Sequence, residues 1–136
     1  MKLNIQKLKD NDYEKLLVNW WKDWGWEAPP KNFLPDNGTG GFMVYNNDIP
    51  ICAGFIYKTN SNVAWVDWII SDKNYKDKES RKEGITYLIQ ALTEICKQLN
   101  YKYCYALINH KGLIKTYENL GYIKADNYNQ ELIKQL

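Results

Sequence analysis

The segment Val63–Leu99 limits the possible folds more than any other part of the chain. It opens with Val63-Ala64-Trp65-Val66-Asp67-Trp68-Ile69-Ile70, a β-branched and aromatic run that reads as a strand. A basic, turn-prone loop follows from Ser71 to Glu79. From about Arg81 to Leu99 the apolar residues Ile85, Leu88, Ile89, Leu92, Ile95, Cys96 and Leu99 recur with the spacing of one buried helical stripe. Strand, polar loop and helix in that order set a helix N-terminus beside a strand end. Unpaired N–H groups and the positive end of the helix dipole then converge on one spot, which suits a phosphate.

The rest of the chain supplies a frame for this unit. Leu3–Leu8 reads as a first strand, followed by a helix from Asn11 or Asp12 to Trp24 with Tyr13, Leu16, Leu17, Trp20 and Trp24 on one face. Gly25 ends it, and residues 26–41 read as a long loop with one helical turn, a length that points to a functional connection. Phe42–Tyr45, Ile51–Lys58 and Val63–Ile70 form a meander around two Asn-rich turns. After the long helix come a strand over Tyr101–Ile108, a short helix over Lys111–Leu120 stopped by Gly121, and a hairpin of Tyr122–Ala125 with Glu131–Leu136. At 136 residues the chain has room for one core, so residues 1–136 are expected to form a single domain.

Composition excludes several function classes. A net charge of +2 is a poor footprint for a dedicated nucleic-acid binder. One histidine, and three cysteines without C-x-x-C spacing, argue against a metal site; Cys52, Cys96 and Cys104 read as buried small hydrophobes in a reducing compartment. No apolar run reaches the roughly 18 residues of a membrane span and the first residues do not read as a signal peptide, so a cytoplasmic protein without a membrane partner is expected.

Two short motifs give this frame a chemical meaning. Arg81-Lys82-Glu83-Gly84-Ile85-Thr86 resembles the acyl-CoA pyrophosphate signature Arg/Gln-x-x-Gly-x-Gly/Ala of the GCN5-related N-acetyltransferase (GNAT) superfamily, with Thr86 in place of the usual small residue. Asn109 and Tyr117-Glu118-Asn119-Leu120-Gly121-Tyr122 resemble the family's ending, in which an Asn closes the fifth strand and a helix finishes as Tyr-x-x-Leu-Gly-Phe/Tyr. The element order fits the same family over nearly the full length. The resemblance implies an α/β (α+β) single domain with a central mixed, mostly antiparallel sheet and helices on both faces. It also implies acetyl-CoA as the donor and direct attack by a primary amine.

Carried over residue by residue, the resemblance makes Asn109 a cofactor contact and Tyr117 the acid that protonates the departing thiolate. The main chain of Ile69, Ile70 and Ser71 would pair with the pantetheine arm. Gly84 belongs to the pyrophosphate signature, but Ser80-Arg81-Lys82-Glu83 is also a capping box. A helix starting at Ser80 would move the pyrophosphate nest to Lys78-Glu79-Ser80-Arg81. Lys78, Arg81 and Lys82 supply positive charge in either case, and Arg81 is the only arginine beside seventeen lysines.

Asp67 interrupts an apolar strand. Burial among aromatics would raise its pKa and make it a base for the amine, while a place on the solvated face would leave it paired with a lysine. The resemblance implies that Trp21, Trp24 and Trp26 stand at the acceptor side, where an aromatic wall could stack a flat ring or hold a cation; the alternative is that they cover the sheet. The acceptor class stays open among a small amine, a peptide amine and a modified base, as does self-association into a homodimer. A GNAT-fold binding protein that no longer catalyses is the rival reading.

Overall fold

The computed structural model describes all 136 residues. Five strands form one sheet in sequence order: β1 (Leu3–Lys7), β2 (Gly41–Asn46), β3 (Ile49–Tyr57), β4 (Val63–Ser71) and β5 (Tyr103–Tyr105). Neighbours are antiparallel except β4 and β5, which run parallel. The parallel step needs a crossover, and α2 (Lys78–Gln98) provides it. α2 and α3 (Lys111–Asn119) pack on one face, while a π-helical turn (Tyr13–Leu17) leading into α1 (Val18–Asp23) covers the other. This is the mixed, mostly antiparallel sheet with helices on both faces that the resemblance implies.

Each face has its own core. Val44, Ile56 and Val66 meet Leu88, Ile89, Leu92 and Cys96 of α2 on one side. Met43, Ala53, Phe55 and Ile70 meet Leu17, Trp20 and Trp21 on the other. Gly84, not Ile85, centres the N-terminal part of the α2 stripe. A Cβ there would stand 3.2 Å from Ile51 Cγ2, so glycine lets the helix lie close on β3.

β4 carries the irregularity that shapes the molecule. Ala53 pairs with Ile70 and Phe55 with Asp67, so β4 uses one residue more than β3 between those pairs. The extra residue is a β-bulge, and Trp68 takes φ 56° to make it. Facing reverses across the bulge: Ala64 and Val66 point toward α2, whereas Ile70 points toward α1. β5 pairs only with Val63, Ala64 and Trp65 and then diverges. The predicted strand Tyr101–Ile108 is therefore cut to three residues, because β4 no longer offers it a partner.

Three further expectations are corrected. α2 begins at Lys78 and not near Ser80: the Asp77 carboxylate accepts the N–H groups of Glu79 (3.0 Å) and Ser80 (3.4 Å) and also takes the Ser80 hydroxyl (2.9 Å). Asp77 thereby replaces the Ser80–Glu83 capping box. The hairpin over Tyr122–Ala125 and Glu131–Leu136 does not form; the segment has no regular structure, and Ile123, Leu132 and Leu136 are exposed. Finally, Cys52 and Cys96 are buried, but Cys104 is only partly so. The neighbouring Cys96 thiol holds the Cys104 pKa below the ordinary thiol value.

Candidate active site

Beyond Trp65 the parallel pair β4/β5 opens into a wedge, and Asp67 and Tyr117 stand at its apex. Asp67 Oδ1 accepts the N–H of Trp68 (2.9 Å), the residue the bulge displaces from regular pairing. Its Oδ2 accepts the N–H of Leu107 (3.1 Å) on the diverging segment after β5. One carboxylate thus holds both sides of the opening. Burial raises its pKa, and the two backbone N–H groups offset only part of that rise. None of the seventeen lysines pairs with it; the charged neighbour it feels is Glu131, which raises its pKa further. Of the two sequence alternatives for Asp67, the half-buried one holds.

Tyr117 approaches from α3. Its side chain is 3% exposed, and its hydroxyl donates to the Val66 carbonyl at 2.8 Å. Burial, then the Asp67 charge, push its pKa far up, so the group is a protonated donor at any ordinary pH. Tyr122 packs edge-on against it with centroids 4.9 Å apart. That contact follows from the Gly121 turn, which returns the Tyr122 N–H to the Tyr117 carbonyl (3.1 Å).

At the α2 end of the wedge, Ser71 and Ile70 are buried and Ile69 is half-buried. The Ser71 carbonyl accepts the indole N–H of Trp24 (2.8 Å). Trp24 in turn carries the Arg81 guanidinium 5.3 Å and the Lys73 ammonium 5.4 Å from its ring centroid. Arg81 also donates to the Lys73 carbonyl (2.9 Å), which ties the loop to the helix. Lys78 and Lys82 are exposed, and Lys82 lies 3.9 Å from Glu79. Lys78, Ser80, Arg81 and Lys82 therefore gather at the first turn of α2. Gly84 does not join them, because its place is the packing contact on Ile51.

The remaining sequence candidates divide. Trp21 is 3% exposed, a core residue set edge-to-face against Trp68 at 6.2 Å, so it offers an acceptor no free face. The physical reason is the π turn: its extra residue rotates α1 and brings Trp20 and Trp21 both onto the sheet. Trp26 is 46% exposed and stacks on Trp24 at 5.6 Å and 15°. Asn109 is exposed beside the first turn of α3. Sequence reasoning passed over its neighbour His110, which caps α3 by accepting the Leu113 N–H (3.2 Å) and meets Trp26 edge-on at 6.4 Å. The signal for it was a cap-compatible side chain directly before an amphipathic helix. Sequence reasoning also missed Phe33 and Asp77, the first because it lies in a loop, the second because Ser80 offered a better motif.

The basic groups at α2 and the open edge of β4 fit an acyl-CoA donor. One feature opposes it: the Asp77 carboxylate already accepts the helix N–H groups that a pyrophosphate would use. Two open clefts, of about 350 and 420 Å³, lie away from Asp67 and Tyr117. No helix is long and apolar enough to cross a membrane.

No protein-family model and no curated protein sequence matches the chain. Solved structures do match it in fold. An aminoglycoside acetyltransferase from an uncultured soil metagenomic sample superposes with a TM-score of 0.67 over 98% of this chain and 96% of its own, at 10% identity. The ribosomal-protein-S18-alanine N-acetyltransferase of Escherichia coli gives 0.67 over 92% and 80%, at 16% identity. N-acetylglutamate synthase of Neisseria gonorrhoeae, solved with coenzyme A and N-acetyl-glutamate, gives 0.70 over 93% of this chain and 29% of its own, at 9% identity. At such identities the likeness speaks for architecture, and this chain has the fold of the GCN5-related N-acetyltransferases.

Proposed function

We propose that the domain is an N-acetyltransferase that moves an acetyl group from acetyl-CoA to a primary amine by direct attack. The observation that carries this reading is the pair at the wedge apex: a half-buried carboxylate of β4 with no cation partner, and a buried tyrosine hydroxyl that reaches the neighbouring Val66 carbonyl from α3. Lys78, Ser80, Arg81 and Lys82 would hold the donor's phosphates, and the main chain of Ile69–Ser71 its pantetheine arm. Asn109 would add a contact from the α3 side. Bound acetyl-CoA supplies an acyl group already activated as a thioester.

Asp67, its pKa raised by burial, accepts the proton that the ammonium must lose before nitrogen has a lone pair to offer. The new C–N bond forms as the C–S bond breaks. Tyr117 can protonate the departing sulfur by turning its hydroxyl from the Val66 carbonyl. Proton acceptance and proton donation then come from two neighbouring side chains, Asp67 of β4 and Tyr117 of α3.

A second reading, a GNAT-fold binding protein without catalysis, is favoured by Asp77 on the helix N–H groups and by Trp24 on the Ser71 carbonyl. Paired variants separate the two. Arg81→Ala should raise KM for acetyl-CoA about tenfold in a thiol-release assay, the loss of one charge-assisted contact of about 1.5 kcal/mol. Asp77→Asn keeps a good capping residue while removing the competing charge, and should lower that KM. KM values that ignore both changes place the phosphates elsewhere, and absence of thiol release with every amine tried supports the binding protein.

A further inference from the structure

An aromatic lip beside Asp67 has no role in the chemistry derived above. The loop between α1 and β2 makes two 3₁₀ turns, Lys31–Phe33 and Pro35–Gly38, and buries Leu34 between them. Burial of Leu34 turns its neighbour Phe33 outward, where it is 45% exposed. Phe33 is not loose: the Tyr57 hydroxyl donates to its carbonyl (3.0 Å), and its ring meets Trp68 edge-to-face at 6.1 Å and 86°. Trp68 is the bulge residue itself, held at φ 56° and bonded through its N–H to Asp67. A left-handed backbone at a bulky residue is costly, and here it turns the indole toward Phe33, directly after the carboxylate.

The lip therefore joins a flat apolar surface to a carboxylate that lacks a cation. Tyr57, whose hydroxyl holds the Phe33 carbonyl and which feels the Asp67 charge, closes the group from β3. A polyhydroxylated amine would gain little from these rings and would bury its hydroxyls against them without partners. A monoamine with an aromatic body complements both parts, since its ring can lie on Phe33 while its ammonium meets Asp67. We infer that the acceptor is an aromatic monoamine, with Phe33 and Trp68 as its specificity-determining residues and Asp67 as its ammonium partner. The inference rests on the transferase reading for its chemistry, and the site can also be tested without turnover.

Thiol release from acetyl-CoA is compared for 2-phenylethylamine and 2-aminoethanol, in the parent protein and in Phe33→Ala. Phe33 is exposed, so the variant folds. Expected is a kcat/KM ratio of about tenfold or more for the aromatic amine, collapsing severalfold in Phe33→Ala. A ratio near one, or one that Phe33→Ala leaves intact, overturns the inference while the transferase reading stands. If neither amine is turned over, the transferase reading is decided by thiol release with other primary amines, and tryptophan fluorescence titrated with 2-phenylethylamine decides the inference alone. Saturable binding weakened by Phe33→Ala supports it, and no saturable change overturns it.

Discussion

Tyr117→Phe is expected to lower the rate of acetyl transfer by about 100-fold while leaving acetyl-CoA affinity nearly intact. The substitution removes one hydroxyl and keeps the ring that packs between Tyr122 and the sheet. In the folded protein that hydroxyl does one other thing, donating to the Val66 carbonyl at 2.8 Å. Its loss should cost about 1 kcal/mol of stability, the usual net worth of such a bond. The two effects are separable, because a fold weakened by that amount remains fully populated at 25 °C. Single-turnover rates and a thermal melt on the same preparation check both. Unchanged turnover would leave Tyr117 as a core aromatic.

Asp67→Asn should damage stability and activity together. The carboxylate accepts two backbone N–H groups, from Trp68 and Leu107, whereas an amide has a single oxygen to offer. One N–H must then face an NH₂, at a cost of about 1–3 kcal/mol and a lower melting temperature by several degrees. The pH dependence has a definite sign. Burial lifts the folded-state pKa above the ordinary 3.8, so this group favours the fold below that value, and its contribution fades as pH rises through the raised pKa. An asparagine does not titrate. The deficit of Asp67→Asn against the parent is therefore largest in acid and narrows as pH rises, which denaturant melts at several pH values would show. In turnover, the parent loses rate as pH falls through the raised pKa, and the variant should lack that limb.

The sequence carried the frame of the molecule where burial and periodicity agree. The run from Val63 to Ile70 and the stripe through Leu88, Leu92 and Cys96 are β4 and α2, and both sit where β-branched and aromatic composition and helical spacing place them. Tyr117 was singled out by the resemblance of Tyr117-Glu118-Asn119-Leu120-Gly121-Tyr122 to the family's ending and not by periodicity. The misses share a different origin. A π turn leaves no periodic mark of its own, so Trp21 read as off the stripe and stayed open between an acceptor wall and a cover for the sheet; the extra residue rotates it into the core, where it covers the sheet. Asp77 and Ser80 are both good caps, and only three-dimensional reach decides that one carboxylate takes two N–H groups and the Ser80 hydroxyl.

The end of β5 was overestimated because apolar composition suggests a strand even where the neighbouring strand has diverged. The bulge was invisible for a related reason: nothing in the letters Asp67-Trp68-Ile69 says that facing reverses there. At that bulge Trp68 takes φ 56° and its ring meets Phe33. The candidate residues Asp67 and Tyr117 could be singled out in the sequence, while their placement beside the end of the β4/β5 pairing could not.

Thermal unfolding with and without saturating acetyl-CoA tests the central claim most directly. Ligand at about 100 times its dissociation constant stabilises the folded state by roughly 2.7 kcal/mol, a rise of several degrees for a domain of this size. The account predicts that rise in the parent and a smaller one in Arg81→Ala at the same concentration. A melting temperature that acetyl-CoA does not move would contradict the donor site at the α2 end of the wedge and, with it, the transferase reading.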